Sequence, residues 1–320
     1  MQIDLSTLQQ RAARLNARLS SCELCPRRCA VSRLDAEMGY CHSSAQPIVA
    51  SCCAHMGEEP AISGVRGSGT IFFANCNLRC VFCQNYQISQ DWQKQQGNVI
   101  SIEKLAQCML SLQEMGCHNI SFVSPSHFVP QIVQALTLAV PRGLELPLVY
   151  NTNGYDSLET LRELDGIIDV YLPDLKYADA DKALKYSDAP NYVSVARAAI
   201  REMYRQVGKL QTDDKGIALR GVIVRHLLLP HDIAGSRDSL NWLACEVSPD
   251  VSLSLMSQYH PTHKASAFPE INRRINRRLY DRAVAVLDEC GLENGWVQGM
   301  ESPESYLPDF DKEGHPFEIN

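Results

Sequence analysis

Residues 74–89 read ANCNLRCVFCQNYQIS, and Cys76, Cys80 and Cys83 stand in it as C-x3-C-x2-C. The stretch follows the apolar run TIFFAN (70–75), a strand candidate bounded by the glycines of SGVRGSG. Those glycines precede the strand, whereas a dinucleotide-binding fingerprint needs them after one, at a helix N-terminus. A closed tetrahedral ion site takes four ligands, and this loop supplies three thiols.

Working outward, further strand candidates are NISFVS (119–124), PLVYN (147–151), IIDVYL (167–172), ALRGVIV (218–224) and VSLSLM (251–256). Helix-like segments alternate with them: SIEKLAQCMLSLQEMG with Ser101 as N-cap, HFVPQIVQALTLAV, SLETLRELDG and APNYVSVARAAIREMYRQVGKL. Strand–helix–strand alternation predicts parallel strands joined by right-handed crossovers. The expectation is an α/β fold, a partial (β/α)6 barrel with a small cysteine-rich N-terminal module. The expected division is 1–60 for that module, 61–262 for the barrel core and 263–320 for a C-terminal helix and tail.

Chemistry in such barrels sits at the C-terminal strand ends. Polar residues follow every predicted strand there: the cysteine loop, Ser124-Pro125-Ser126-His127, Asn151-Thr152-Asn153-Gly154, Asp174-Leu175-Lys176, Arg225-His226 and Gln258-Tyr259-His260.

Bulk composition narrows the class. The 320 residues carry a formal charge of −7, which lacks the basic excess of nucleic-acid binders. No apolar run reaches the ~20 residues that span a bilayer. The N-terminus has no signal-peptide core; Leu8, Ala12, Leu15 and Leu19 instead predict an amphipathic helix. A cytoplasmic chain is expected. Thirteen cysteines in a reducing compartment point to metal ligation rather than disulfides. Cys108, Cys117, Cys245 and Cys290 lie among apolar neighbours and read as buried hydrophobes.

Three thiolates suit a [4Fe–4S] cube with one iron left uncovered, whereas four give a closed electron carrier. The amino and carboxylate groups of S-adenosylmethionine (SAM) can chelate that iron. An electron entering the sulfonium then yields methionine and a 5′-deoxyadenosyl radical, which abstracts hydrogen from a substrate.

CNLRCVFC, with Phe82 before the third cysteine, resembles the signature of the radical SAM superfamily. GSGTIFFANCNLRCVFCQNYQIS, HMGEEPAISG and CELCPRRC resemble the pyruvate formate-lyase-activating-enzyme-like group. The activating enzymes carry D-T-N-G and D-L-K motifs after strands three and four; here these positions read Asn151-Thr152-Asn153-Gly154 and Asp174-Leu175-Lys176. The resemblance implies that Lys176 pairs with the SAM carboxylate, that Asp174 and Thr152 lie by a monovalent cation, and that His260 contacts SAM. Asn151 replaces the motif's aspartate. Where the superfamily often has G-G-E for the SAM ammonium, this chain has Ser124, Ser126 and His127 as candidates. Glu58 and Glu59, which precede the first strand, are not expected to substitute.

The resemblance also implies a low-potential electron donor of flavodoxin or ferredoxin type. The hydrogen donor would be a glycine of a glycyl-radical enzyme, or alternatively a small molecule or a peptide. A non-enzymatic zinc-binding interaction module is the reading from a different class.

CELCPRRCAVSRLDAEMGYC places Cys22, Cys25, Cys29 and Cys41 as C-x2-C-x3-C-x11-C. A second site there would hold zinc or a further Fe–S cluster, and chance clustering is the third option. Arg273, Arg274, Arg277 and Arg278 are expected on one solvated helix face, where an acidic electron donor would dock.

Overall fold

The computed structural model describes residues 1–300, 307–312 and 315–317. Its strands are β1 (Val49–His55), β2 (Ser68–Phe73), β3 (Ile120–Val123), β4 (Leu148–Thr152), β5 (Val170–Pro173), β6 (Gln211–Thr212), β7 (Ala218–Leu227), β8 (Ser252–Met256) and β9 (Gly295–Val297). They form one sheet in the order β1-β2-β3-β4-β5-β7-β8-β9, with β6 paired to β7. From β2 to β9 the neighbours along this path are parallel; β1 joins β2 antiparallel. Each of the six strands expected from the sequence is present, and the sheet is the open, partial barrel expected.

The helices are α1 (Leu5–Ala17), α2 (Pro60–Ser63), α3 (Tyr86–Ser89), α4 (Ile102–Glu114), α5 (Val129–Ala139), α6 (Leu158–Glu163), α7 (Ala180–Ser187), α8 (Tyr192–Val207), α9 (Ser236–Glu246) and α10 (Arg277–Cys290). Ser101 caps α4 by accepting from Lys104 N. α1 buries Leu8, Ala12 and Leu15 and packs on α5. Each buried leucine contributes about 1.5–3 kcal/mol.

Alternation along the strands separates two cores. Ile71, Phe73, Ile120, Phe122, Tyr150 and Tyr171 face the helices. Val149, Val170, Leu172 and Ile223 point the other way, onto Ala61 and Ile62 of α2, which plugs the barrel interior. Above this apolar plug the inward positions turn polar, and the site is built there.

Two expectations are corrected. Cys245 is exposed, and Cys108 and Cys290 are half-buried; only Cys117 of that set is buried. α10 begins at Arg277 with Asn276 as its cap, so Arg273 and Arg274 precede the helix, although all four arginines are exposed. Glu58 reaches the barrel interior, as described below. Residues 301–306, 313–314 and 318–320 lie outside the described residues, but Phe310 and Phe317 pack on Phe72. Among the described residues no helix is long and apolar enough to cross a membrane.

Candidate active site

Cys76, Cys80 and Cys83 lie on the loop after β2 and line one cleft of ≈ 220 Å³ at the C-terminal strand ends. Each sulfur has a polar neighbour. Leu78 N donates to Cys76 Sγ at 3.4 Å, as does Asn153 Nδ2 at 3.4 Å. Ser187 Oγ donates to Cys80 Sγ at 3.0 Å, and Ser89 Oγ lies 3.2 Å from Cys83 Sγ. Burial pushes all three thiols up, Cys83 to about 12, with neighbouring Cys80 adding to the effect there. Deprotonated sulfurs therefore require a cationic centre.

Among the described residues no three His, Cys, Asp or Glu stand in position to hold a single metal ion. The trio lines one cavity, where three thiolates could each take a separate iron. No other cysteine lines the cleft. The donor set thus fits a cube with one iron open.

Across the cleft, Lys176 Nζ meets Asp174 Oδ2 at 2.5 Å. Burial works against the ammonium, yet Asp174 and Cys80 beside it raise the pKa of Lys176 above the ordinary lysine value. Arg225, inward-facing on β7, donates from Nε to Asp174 Oδ1 at 2.8 Å and from Nη2 to Asn151 Oδ1 at 2.6 Å. Glu58 comes up from the β1–β2 turn: Asn151 Nδ2 donates to its Oε1 at 3.1 Å, and Arg225 Nη1 lies 3.3 Å from its Oε2. Burial raises the Glu58 carboxyl, with Arg225 opposing.

Ser124, Asn151, Thr152, Asn153, Asp174 and Lys176 all line the cleft with the cysteines. Thr152 Oγ1 donates to Asp156 Oδ2 at 2.5 Å, and Asn153 is braced by Asn77 at 2.7 Å. Gly154, at φ +80°, lets this turn approach the Asp174 carbonyl, where a Cβ would collide. Ser126 sits behind the wall, 3.3 Å from Thr152 Oγ1. His127 faces the pocket of Cys22, Cys25, Cys29 and Cys41 instead. His260 is not part of the cleft lining; its Nδ1 is buried without a partner.

Glu58, Arg225 and Ser187 complete the arrangement; of these only Arg225 stood among the polar strand-end residues read from the sequence. Arg225 shared the inward parity of Ile223, a signal present in the sequence. Glu58 gave none, because its reach depends on how the β1–β2 turn tucks beneath the barrel.

An open parallel barrel with a three-cysteine loop at its strand ends defines the class, an iron–sulfur enzyme scaffold. The Radical SAM superfamily model matches residues 70–209, from β2 into the loop after α8. That match covers 140 of the 320 residues, and the family it describes implies a [4Fe–4S] cluster, SAM and a reductant. An uncharacterized protein of Methanocaldococcus jannaschii is 27% identical over 277 residues, covering 85% of this chain and 76% of the relative. The FeFe-hydrogenase maturase HydG from Carboxydothermus hydrogenoformans shares the fold at 11% identity and a TM-score of 0.50, over 71% of this chain. This chain spans about half of that maturase, 52%. A domain of pyruvate-formate lyase-activating enzyme from Bacteroides vulgatus is 16% identical with a TM-score of 0.36, covering 51% of this chain and 86% of that domain.

Proposed function

We propose that Cys76, Cys80 and Cys83 hold the cluster, that SAM lies in the cleft beside it, and that the radical formed acts on a small molecule. The observation that carries this is the meeting of three hydrogen-bonded thiols and the Lys176–Asp174 pair around one cleft. When bound, the cluster supplies the electron that splits SAM into methionine and a 5′-deoxyadenosyl radical. Lys176 takes the SAM carboxylate as a buried ammonium whose position Asp174 fixes. Ser124 and Asn151 offer oxygens to the SAM ammonium, and Thr152 and Asn153 hold the turn that carries them. Arg225 and Glu58 keep the floor beneath rigid and charge-balanced.

A small substrate is favoured by the tail. Phe72 pairs in register with Val123, which lines the cleft, so both face the same side. Phe310 and Phe317 cover Phe72 at ring distances of 5.3 and 5.8 Å, and Gln87 Nε2 donates to Asp309 and Asp311. A glycine-bearing loop of a partner protein, the reading that the activating-enzyme resemblance offers, would have to displace this cover.

The division at residues 60 and 262, a cytoplasmic setting and a flavodoxin- or ferredoxin-type donor belong to the same reading. Deuterium transfer into 5′-deoxyadenosine from labelled small molecules tests it. Transfer from a Cα-deuterated glycine in a partner protein, with none from small molecules, would overturn the small-molecule assignment.

A further inference from the structure

We propose that Cys22, Cys25, Cys29 and Cys41 bind a second [4Fe–4S] cluster, closed by four thiolates, that passes electrons to the cluster in the SAM cleft. Only the electron acceptor rests on the function proposed above; the metal site does not.

The four cysteines fall within 20 residues and line one cavity of ≈ 10 Å³. Cys22, Cys25 and Cys41 are buried and Cys29 is half-buried. Ala30 N donates to Cys22 O at 3.0 Å and Cys22 N to Val31 O at 2.9 Å, folding the Cys29 segment back on Cys22. Gly39 packs on Cys29, where a Cβ would stand 2.8 Å from both Cβ and Sγ, and Tyr40 N donates to Cys29 Sγ at 3.4 Å.

His127 closes the cavity on the side of the barrel. Its ring is 1% exposed and lines this cavity. Nε2 donates to Ala74 O at 2.9 Å, and Nδ1 has no partner. A buried imidazole nitrogen is not left without a partner at no cost.

Geometry separates a cube from zinc. Zinc holds sulfurs at ~2.3 Å, which brings four of them to within about 3.8 Å of one another. Among the described residues no three potential ligands stand in position to share one ion. Thiolates on separate irons stand further apart than that. Arg27, Arg28 and Arg33 flank the cavity and offset the negative charge of a thiolate-bound cube.

The site is tied to the cleft loop. Arg79 Nη1 donates to Cys76 O at 2.7 Å, and its Nη2 donates to Tyr40 O, beside Cys41. His127 holds Ala74, two residues before Cys76. One electron from a low-potential flavodoxin- or ferredoxin-type donor reduces the closed cube and moves on to the open one. No bond forms or breaks at the closed cube.

The test is anaerobic iron–sulfide reconstitution of the full chain. Wild type should bind about eight irons, and C76A/C80A/C83A about four, with a reduced EPR signal that SAM leaves unchanged. C22A/C25A should also bind about four, with a signal that SAM perturbs. About four irons in wild type, a colourless triple variant, or stoichiometric zinc would overturn the second cluster. The cleft cluster is read separately in C22A/C25A, so failure of one site does not hide the other. In C22A/C25A, SAM cleavage driven by a protein donor should slow about tenfold or more, with dithionite-driven cleavage retained. An unchanged rate with the protein donor would overturn the carrier role.

Discussion

Arg225 grips Asp174 through Nε at 2.8 Å, on the carboxylate oxygen opposite the one that holds Lys176. Burial alone would raise the Asp174 carboxyl; Arg225, then Lys176, overcome it and hold it below the usual range. Arg225 also faces Glu58. Removing it leaves Glu58 with no cationic partner and Asp174 with Lys176 alone. Arg225→Met should destabilise the metal-free protein by about 3–5 kcal/mol in urea unfolding at neutral pH. A loss under about 1 kcal/mol would show that the network does not depend on this guanidinium.

Lys176 is expected to bind SAM without holding the cluster. Lys176→Met should keep its iron and weaken SAM binding about tenfold or more, as loss of a charge-assisted bond does. Equilibrium binding to the reconstituted protein measures this. Unchanged affinity would remove Lys176 from the SAM site.

Ser187 donates to Cys80 Sγ at 3.0 Å, and Tyr177 OH lies 2.7 Å from Ser187 Oγ. Hydrogen bonds to cluster sulfurs favour the more negative, reduced state. Ser187→Ala should therefore lower the midpoint potential of the cleft cluster in an EPR-monitored titration. A potential equal to wild type would mean that the hydroxyl does not act on the cluster.

Acid should destabilise the metal-free fold through its buried imidazoles. Burial lowers His55 to about 4, lowers His127 to about 3 and lowers His226 as well. The unfolded chain takes up these protons near pH ~6.5, before the folded chain does. Their stability is thus fully present above ~6.5 and is lost as pH falls toward the folded values. Urea midpoints should fall between pH ~6.5 and 4. Midpoints that stayed level across this window, in a His55→Phe variant as in wild type, would contradict the buried neutral assignment.

The barrel was legible because its parallel strands, buried on both faces, are near-continuous apolar runs such as TIFF and VIV. The cysteine loop was legible because its spacing is local. β1 was not: VASCCAH is half-buried along most of its length and lacks an apolar run. His127 was misplaced, and the network position of Glu58 went unread, for a common reason. Sequence position fixes which loop a residue occupies, whereas its direction depends on distant elements. The β1–β2 turn sends Glu58 under the barrel, and the β3–α5 turn aims His127 at the N-terminal cysteines rather than the cleft. Ser187 lies at the end of α7, and no local pattern could have paired it with Cys80.

The central claim is that three cysteines hold a cluster whose free iron takes SAM. Production of 5′-deoxyadenosine from SAM under dithionite, by reconstituted wild type and Cys80→Ala side by side, tests it most directly. Wild type should form the nucleoside and Cys80→Ala should lose almost all of it. Equal yields from the two proteins would contradict the account.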